Sequence, residues 1–239
     1  PLHLAAFYGH IETARALLVR KDIEVNAVGS AFGRCPLHLA AQNGHADVTH
    51  ALIEAGADLN AADHEGYRPL ILASEGCHLK ATRVLIDAGA DVNAVTNKGN
   101  CSLHRASSNG HSDGVRALIA AGADMNVANK RKRLPLHYAA LNGNYKTVCV
   151  LIEEGEKKGT DLNATNDDGL CPLHLAAQND HDRVALALLA ADADIDRRGE
   201  FYITLARHRR TPLLHGAMEG HALPSLLYRG ADVNARGDS

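Results

Sequence analysis

Three short pairs carry the residue types of a reactive or metal-binding site: Cys35 with His38, Cys101 with His104 and Cys171 with His174. Each has the Cys-x-x-His spacing found in zinc sites. The chain holds 15 histidines, enough to invite acid–base chemistry as well. Carboxylates recur at Asp58, Asp91, Asp124 and Asp232. There is no phosphate loop, no Gly-x-Ser-x-Gly elbow and no His-Glu-x-x-His. What these residues can do depends on how the chain spaces them.

That spacing is periodic. Pro1, Pro36, Pro69, Ser102, Pro135, Pro172 and Pro212 form one column, and only Pro224 of the seven prolines lies outside it. Two residues on stand His3, His38, Ile71, His104, His137, His174 and Leu214. Nine residues on stand His10, His45, His78, His111, Asn144, His181 and His221. Most units close on Gly-Ala-Asp-hydrophobic-Asn-Ala, as in Gly56 to Ala61. Asp58, Asp91, Asp124 and Asp232 fall in one such column, which makes them a repeat feature, so their spacing says nothing of paired carboxylate catalysis.

One unit can be read from its chemistry. Proline suits the first helical position, where its missing N–H would be unpaired anyway, so Pro-Leu-His-Leu-Ala-Ala opens a helix. Glycine eight residues on suits a left-handed cap. A second segment with apolar residues at helical spacing follows (Val48, Leu52, Ile53) and ends at the next glycine. The Asp-x-Asn-Ala stretch after it reads as a β-turn or hairpin. Neither helix can bury its apolar side alone, so units must stack.

In these columns the sequence resembles the ankyrin-repeat family. The resemblance covers essentially the whole chain. It implies an all-α repeat solenoid, a curved stack of helix-turn-helix units with β-hairpin fingers, forming a single domain over 1–239. The units fall approximately at 1–29, 30–62, 63–95, 96–128, 129–165, 166–205 and 206–239. It also implies that eleven of the histidines serve hydrogen bonds within the fold. At about 8–10 Å per packed helix layer, the Cys–His pairs lie roughly 20 Å apart, too far to share a zinc ion or a disulfide. No metal, cofactor or catalytic residue is expected, and the chain is not expected to be an enzyme.

Departures from the pattern single out particular units. The residue before each helix-opening position is a poor cap at Cys35, Arg68, Cys101, Leu134 and Cys171, and a good one only at Thr211. The fourth unit has Ser102 for proline, Arg105 and Ser107 in its first helix and Gly114 in its second, and reads as the soft point. The fifth carries four extra residues around Glu156 to Gly159. Two fingers stand out. Lys130-Arg131-Lys132-Arg133 replaces a polar, glycine-containing tip, and Arg197 to Arg210 is seven residues longer than normal, with Phe201, Tyr202 and Arg207.

The resemblance implies a protein-interaction scaffold, binding a partner protein or peptide in the concave groove and at the finger tips. The alternative is the targeting or recruitment region of a larger enzyme or channel whose active part lies outside this chain. Groove candidates are Phe7, Tyr8, Gln42, Asn43, Glu75, Ser108, Leu141, Asn142, Gln178 and Met218. Finger candidates are Tyr67, Lys98, Lys130, Arg131, Arg133, Leu170, Phe201, Tyr202 and Arg207. Asn60, Asn93 and Asn126 resemble the sites of the asparaginyl hydroxylase that acts on ankyrin repeats.

Composition bounds the partner. With 25 basic and 28 acidic residues the net charge is −3, which argues against a general nucleic-acid binder or a basic membrane-surface protein. The longest apolar run, Val184 to Ala191, is too short to span a bilayer. Five cysteines without a Cys-x-x-Cys pair are no secreted disulfide framework. The expected setting is a cytoplasmic monomer, with the nucleus as the alternative, binding a protein that bears acidic residues.

Overall fold

The computed structural model describes the chain except Ser30, Arg198, Thr204, Leu205, 219–230 and 232–239. Paired helices recur along it: α1 (Leu2–Tyr8) with α2 (Ile11–Leu18), α3 (Pro36–Gln42) with α4 (Ala46–Glu54), and α5 (Pro69–Glu75) with α6 (Leu79–Asp87). They continue as α7 (Ser102–Ser108) and α8 (Ser112–Ala120), α9 (Pro135–Leu141) and α10 (Tyr145–Lys158), and α11 (Pro172–Gln178) and α12 (Asp182–Ala190). Two strands, β1 (Gly199–Ile203) and β2 (Ala206–Arg210), precede α13 (Pro212–Met218).

The helices fall into two compact units, Pro1–Ala106 with Asp113–Asp124, and Ser107–Ser112 with Met125–Ser239. In the first, α1, α3 and α5 pack side by side, as do α2, α4 and α6. Leu37, Leu52, Leu70, Ile71 and Leu85 are fully buried there, and alanines such as Ala40, Ala41 and Ala73 let the helices approach. In the second, α9, α11 and α13 form one row and α10 and α12 the other, around Leu136, Leu151, Leu173, Leu175 and Leu188. Each buried leucine contributes about 1.5–3 kcal/mol, so stacking supplies what a seven-residue helix cannot.

Proline opens α3, α5, α9, α11 and α13, as the column predicts. Glycine then ends the first helix for two reasons at once. Gly44 has φ 74°, and a Cβ there would lie 2.3 Å from His78 Nδ1 in the next unit. Gly9 stands in the same way against His45, and Gly143 against His181. Each of these imidazoles donates its Nε2–H to a carbonyl of the preceding first helix: His45 to Phe7 (3.0 Å), His78 to Gln42 (3.0 Å), His181 to Leu141 (3.1 Å). The second histidine column is therefore a set of bolts between neighbouring units.

The first histidine column ties its own helix start to the next finger. His38 Nδ1 accepts the N–H of Cys35 at 3.2 Å, while its Nε2–H donates to the carbonyl of Tyr67 in the next finger at 3.0 Å. His104, His137 and His174 accept from Cys101, Leu134 and Cys171 likewise. The imidazole thus takes the role that Glu or Gln plays in a capping box, whatever the residue at the cap.

One expectation is narrowed and one open point is filled. The ordinary fingers are closed by turns, not strand ladders, so the described residues do not bear out β-hairpin fingers as a general feature. Among the described residues β1 and β2 form a ladder, antiparallel, with Phe201 opposite His208 and Tyr202 opposite Arg207, and Val95 makes a single bridge to Cys101. The four extra residues of the fifth unit, whose conformation the sequence left open, join the helix before them. They lengthen α10 to 14 residues, which run through Gly155 and stop at Gly159, φ 71°.

Candidate protein-binding surface

The fingers at 63–67, 96–100, 129–133 and 166–170 are each built around one polar side chain that folds back on its own backbone. Asp63 Oδ1 accepts the N–H groups of Glu65 (2.9 Å) and Tyr67 (2.8 Å), and the Asp63 N–H donates to the Tyr67 carbonyl. Asn129 does the same for Arg131 and Arg133, and Asn166 for Asp168 and Leu170. The fourth residue of each such loop has positive φ: Gly66 at 79°, Gly99 at 79°, Gly169 at 72° and Lys132 at 52°. Lysine therefore occupies a glycine corner in the basic finger.

Successive fingers are joined by single backbone hydrogen bonds. The N–H of His64 donates to Phe32, that of Asn97 to Glu65 and that of Asp167 to Arg131. At the base of the fingers a second seam runs through asparagine amides. Asn26, Asn60 and Asn93 each accept the backbone N–H of the aspartate in the next unit, Asp58, Asp91 and Asp124, at 2.8–3.0 Å.

Arginines from different fingers and helices meet aromatic rings and carboxylates. Arg34 lies 5.3 Å from the Phe32 centroid, donates to Asp63 at 2.9 Å and holds Gln42 at 2.7 Å. Arg105 lies 5.2 Å from the Tyr67 centroid, donates to its hydroxyl and pairs with Glu75 at 3.5 Å. Burial raises the Tyr67 phenol above its ordinary range, against the pull of Arg105, so the hydroxyl stays neutral and can accept. Arg133 lies 5.9 Å from the Tyr138 centroid and 3.4 Å from Asp168. Lys132 reaches Asp167 at 3.6 Å.

Among the groove candidates, Phe7 and Tyr8 are exposed and meet edge to face, with centroids 5.0 Å apart. Phe7 borders a pocket of about 300 Å³ that Phe32, Arg34 and Gln42 also line. Asn43 is turned onto its own helix, donating to the Leu39 carbonyl. Ser108 receives Asn142 through both its carbonyl and its hydroxyl. Leu141 and Gln178 are half-buried. Among the finger candidates, Lys98, Lys130 and Arg131 are exposed. Leu170 is buried, 4% exposed, and offers no side chain to a partner. The side chains of Phe201, Tyr202, Arg207 and Met218 lie outside the described residues.

Sequence reasoning treated Arg105 only as a blemish in a helix, yet it draws Tyr67 and Glu75 together. It also passed over Phe32 and Arg34, and over Asp167 and Asp168 opposite the basic tip. The last pair was open to discovery, since Asp167-Asp168 stand in the next finger at the places that Lys130-Arg131 hold in the basic one.

The Cys–His pairs of the described residues are packing groups. The Cys–His pairs have Sγ to Nδ1 distances of 3.0, 3.0 and 2.9 Å, but the cysteines are buried, and burial raises all three thiols above their ordinary value. A protonated, inaccessible thiol is a packing group, not a nucleophile. Among the described residues no three His, Cys, Asp or Glu side chains gather to hold a metal, and no helix is long and apolar enough to cross a membrane.

Stacked helix pairs, glycine-capped turns and a row of exposed loops are the parts of a repeat interaction module. A family model described as Ankyrin repeats (3 copies) matches residues 2–96, 60–129, 85–165, 103–199 and 136–237. The chain belongs to the ankyrin-repeat family, an all-helical repeat solenoid whose members generally mediate protein–protein interaction. Comparison with curated proteins gives no match.

Proposed function

We propose that the chain, acting as one module, recognises an acidic segment of a partner protein at the finger formed by residues 129–133, with the neighbouring first helices completing the surface. The observation that carries this reading is Lys132 in a left-handed corner that glycine holds in the fingers at Gly66, Gly99 and Gly169. A strained lysine there costs stability and gives an unbroken basic tip, with Lys130 and Arg131 exposed beside it. Asn60 and Asn93 fit a hydroxylation reading only when their repeat is open, because each amide oxygen is already engaged.

The test is affinity capture from cell extract with wild type and with Lys130→Glu/Arg131→Glu, quantified by mass spectrometry. Loss of a defined set of proteins carrying acidic runs is the expected result. An unchanged set means the basic tip takes no part in recognition.

A further inference from the structure

We propose that Asp167 and Asp168 act as a built-in competitor for the acidic ligand of the basic finger, so that the site exists in a half-occupied state in the free protein. This inference rests on the reading of the basic tip as an acidic-segment site.

The geometry is specific. Asp167 lies 3.6 Å from Lys132 and Asp168 3.4 Å from Arg133. The two carboxylates are not there by chance rotamers of long side chains. The Asp167 N–H donates to the Arg131 carbonyl at 3.1 Å, and the Asp168 N–H to Asn166 Oδ1 at 2.9 Å. Both aspartates are thus delivered to the neighbouring tip by backbone already tied down. Their side chains remain 44% and 54% exposed, so the contacts are open to exchange. Lys130 and Arg131, at the outer half of the tip, are exposed and pair with no carboxylate of the described residues. An incoming acidic segment can engage these two first, then exchange with the internal aspartates at Lys132 and Arg133.

The arrangement selects a protein segment over nucleic acid. Two uncovered cations beside two fixed carboxylates make too short a basic stripe for a phosphate backbone, and the aspartates repel one. A carboxylate-bearing peptide that repeats the contacts of Asp167 and Asp168 matches the site in charge and spacing.

The experiment measures binding of a fluorescein-labelled octaglutamate peptide by anisotropy at low salt, with circular dichroism on each variant. Asp167→Asn/Asp168→Asn is expected to tighten binding about three- to tenfold, the scale of two exposed ion pairs, with the gain lost in high salt. Lys130→Ala/Arg131→Ala is expected to weaken binding in both backgrounds. If the aspartate variant binds as wild type does while the basic variant still loses affinity, the competitor is overturned and the fingertip reading stands. If Lys130→Ala/Arg131→Ala changes nothing, or no binding is measured in any background, both are overturned. Tighter binding of an octathymidine strand than of the peptide would overturn the assignment to a protein segment.

Discussion

Lys132 and Gly169 occupy the same corner of neighbouring fingers, and lysine there holds φ 52° where glycine holds 72°. A side chain in the left-handed region costs about 1–2 kcal/mol, partly offset by the greater chain entropy that glycine loses on folding. Lys132→Gly is therefore expected to gain about 0.5–1 kcal/mol, read from urea unfolding. The Lys132–Asp167 contact it removes is exposed and worth little. A lower denaturation midpoint would show that the corner is unstrained.

Gly44 and Gly56 separate backbone strain from crowding. Both have positive φ, 74° and 86°, but a Cβ at Gly44 meets His78 while one at Gly56 meets nothing within 4 Å. Gly56→Ala should cost about 1–2 kcal/mol, the price of the backbone alone. Gly44→Ala should cost more, by roughly 1 kcal/mol or above, because it also displaces the ring that bonds Gln42. A double-mutant cycle with His78→Ala checks this: the two changes must couple.

Acid should loosen the fold through His38. Burial lowers its basicity below the usual imidazole value, against the pull of the Tyr67 carbonyl. A base whose folded pKa is depressed binds more protons when unfolded, so stability rises with pH across the gap. Its contribution is fully present above the unfolded value of about 6.5 and is lost as pH falls below it. His38→Gln should lower stability at pH 8 yet show a smaller drop between pH 8 and pH 5 than wild type. Equal drops by thermal denaturation would assign the acid sensitivity elsewhere.

Ser102 stands where five other first helices begin with proline, and its hydroxyl is buried without a hydrogen-bond partner. Ser102→Pro removes that orphan and restricts the unfolded chain, for an expected gain of about 0.5–1 kcal/mol. Ser107 hides a second orphan hydroxyl in the same helix. Amide exchange should accordingly be faster over residues 100–120 than over 36–60, and slower in the proline variant. Equal protection of the two stretches in wild type would remove the fourth unit as the soft point.

Periodic features were legible in the sequence because they follow from single residue types. The prolines, the left-handed glycines and the paired histidine columns each impose one local conformation, and the structure repeats it unit after unit. Long-range pairings were less so. Arg105 looked like a charge misplaced in a helix because its partners, Tyr67 and Glu75, come from other elements. Leu170 looked like a finger residue by its column, yet apolar character draws it inward where Tyr67 and Arg133 stay half exposed. Cys77 and Asp180 hold the positive φ of a glycine column without being glycine, a substitution that neighbouring structure tolerates and composition does not announce.

The extended α10 bears on how such chains change length over evolution. With 14 residues α10 is five longer than the nine-residue α4, α6, α8 and α12, and the connection from its end to Asp161 is one residue shorter than that from Glu54 to Asp58, so helix and turn absorb the four extra residues together. The insertion leaves the apolar face of α10 intact, and beyond it Asn163 again receives the Asp194 N–H at 2.8 Å. A helix can thus take up an insertion at this place when the turn after it gives back the difference, and the asparagine seam to the next unit resumes unchanged.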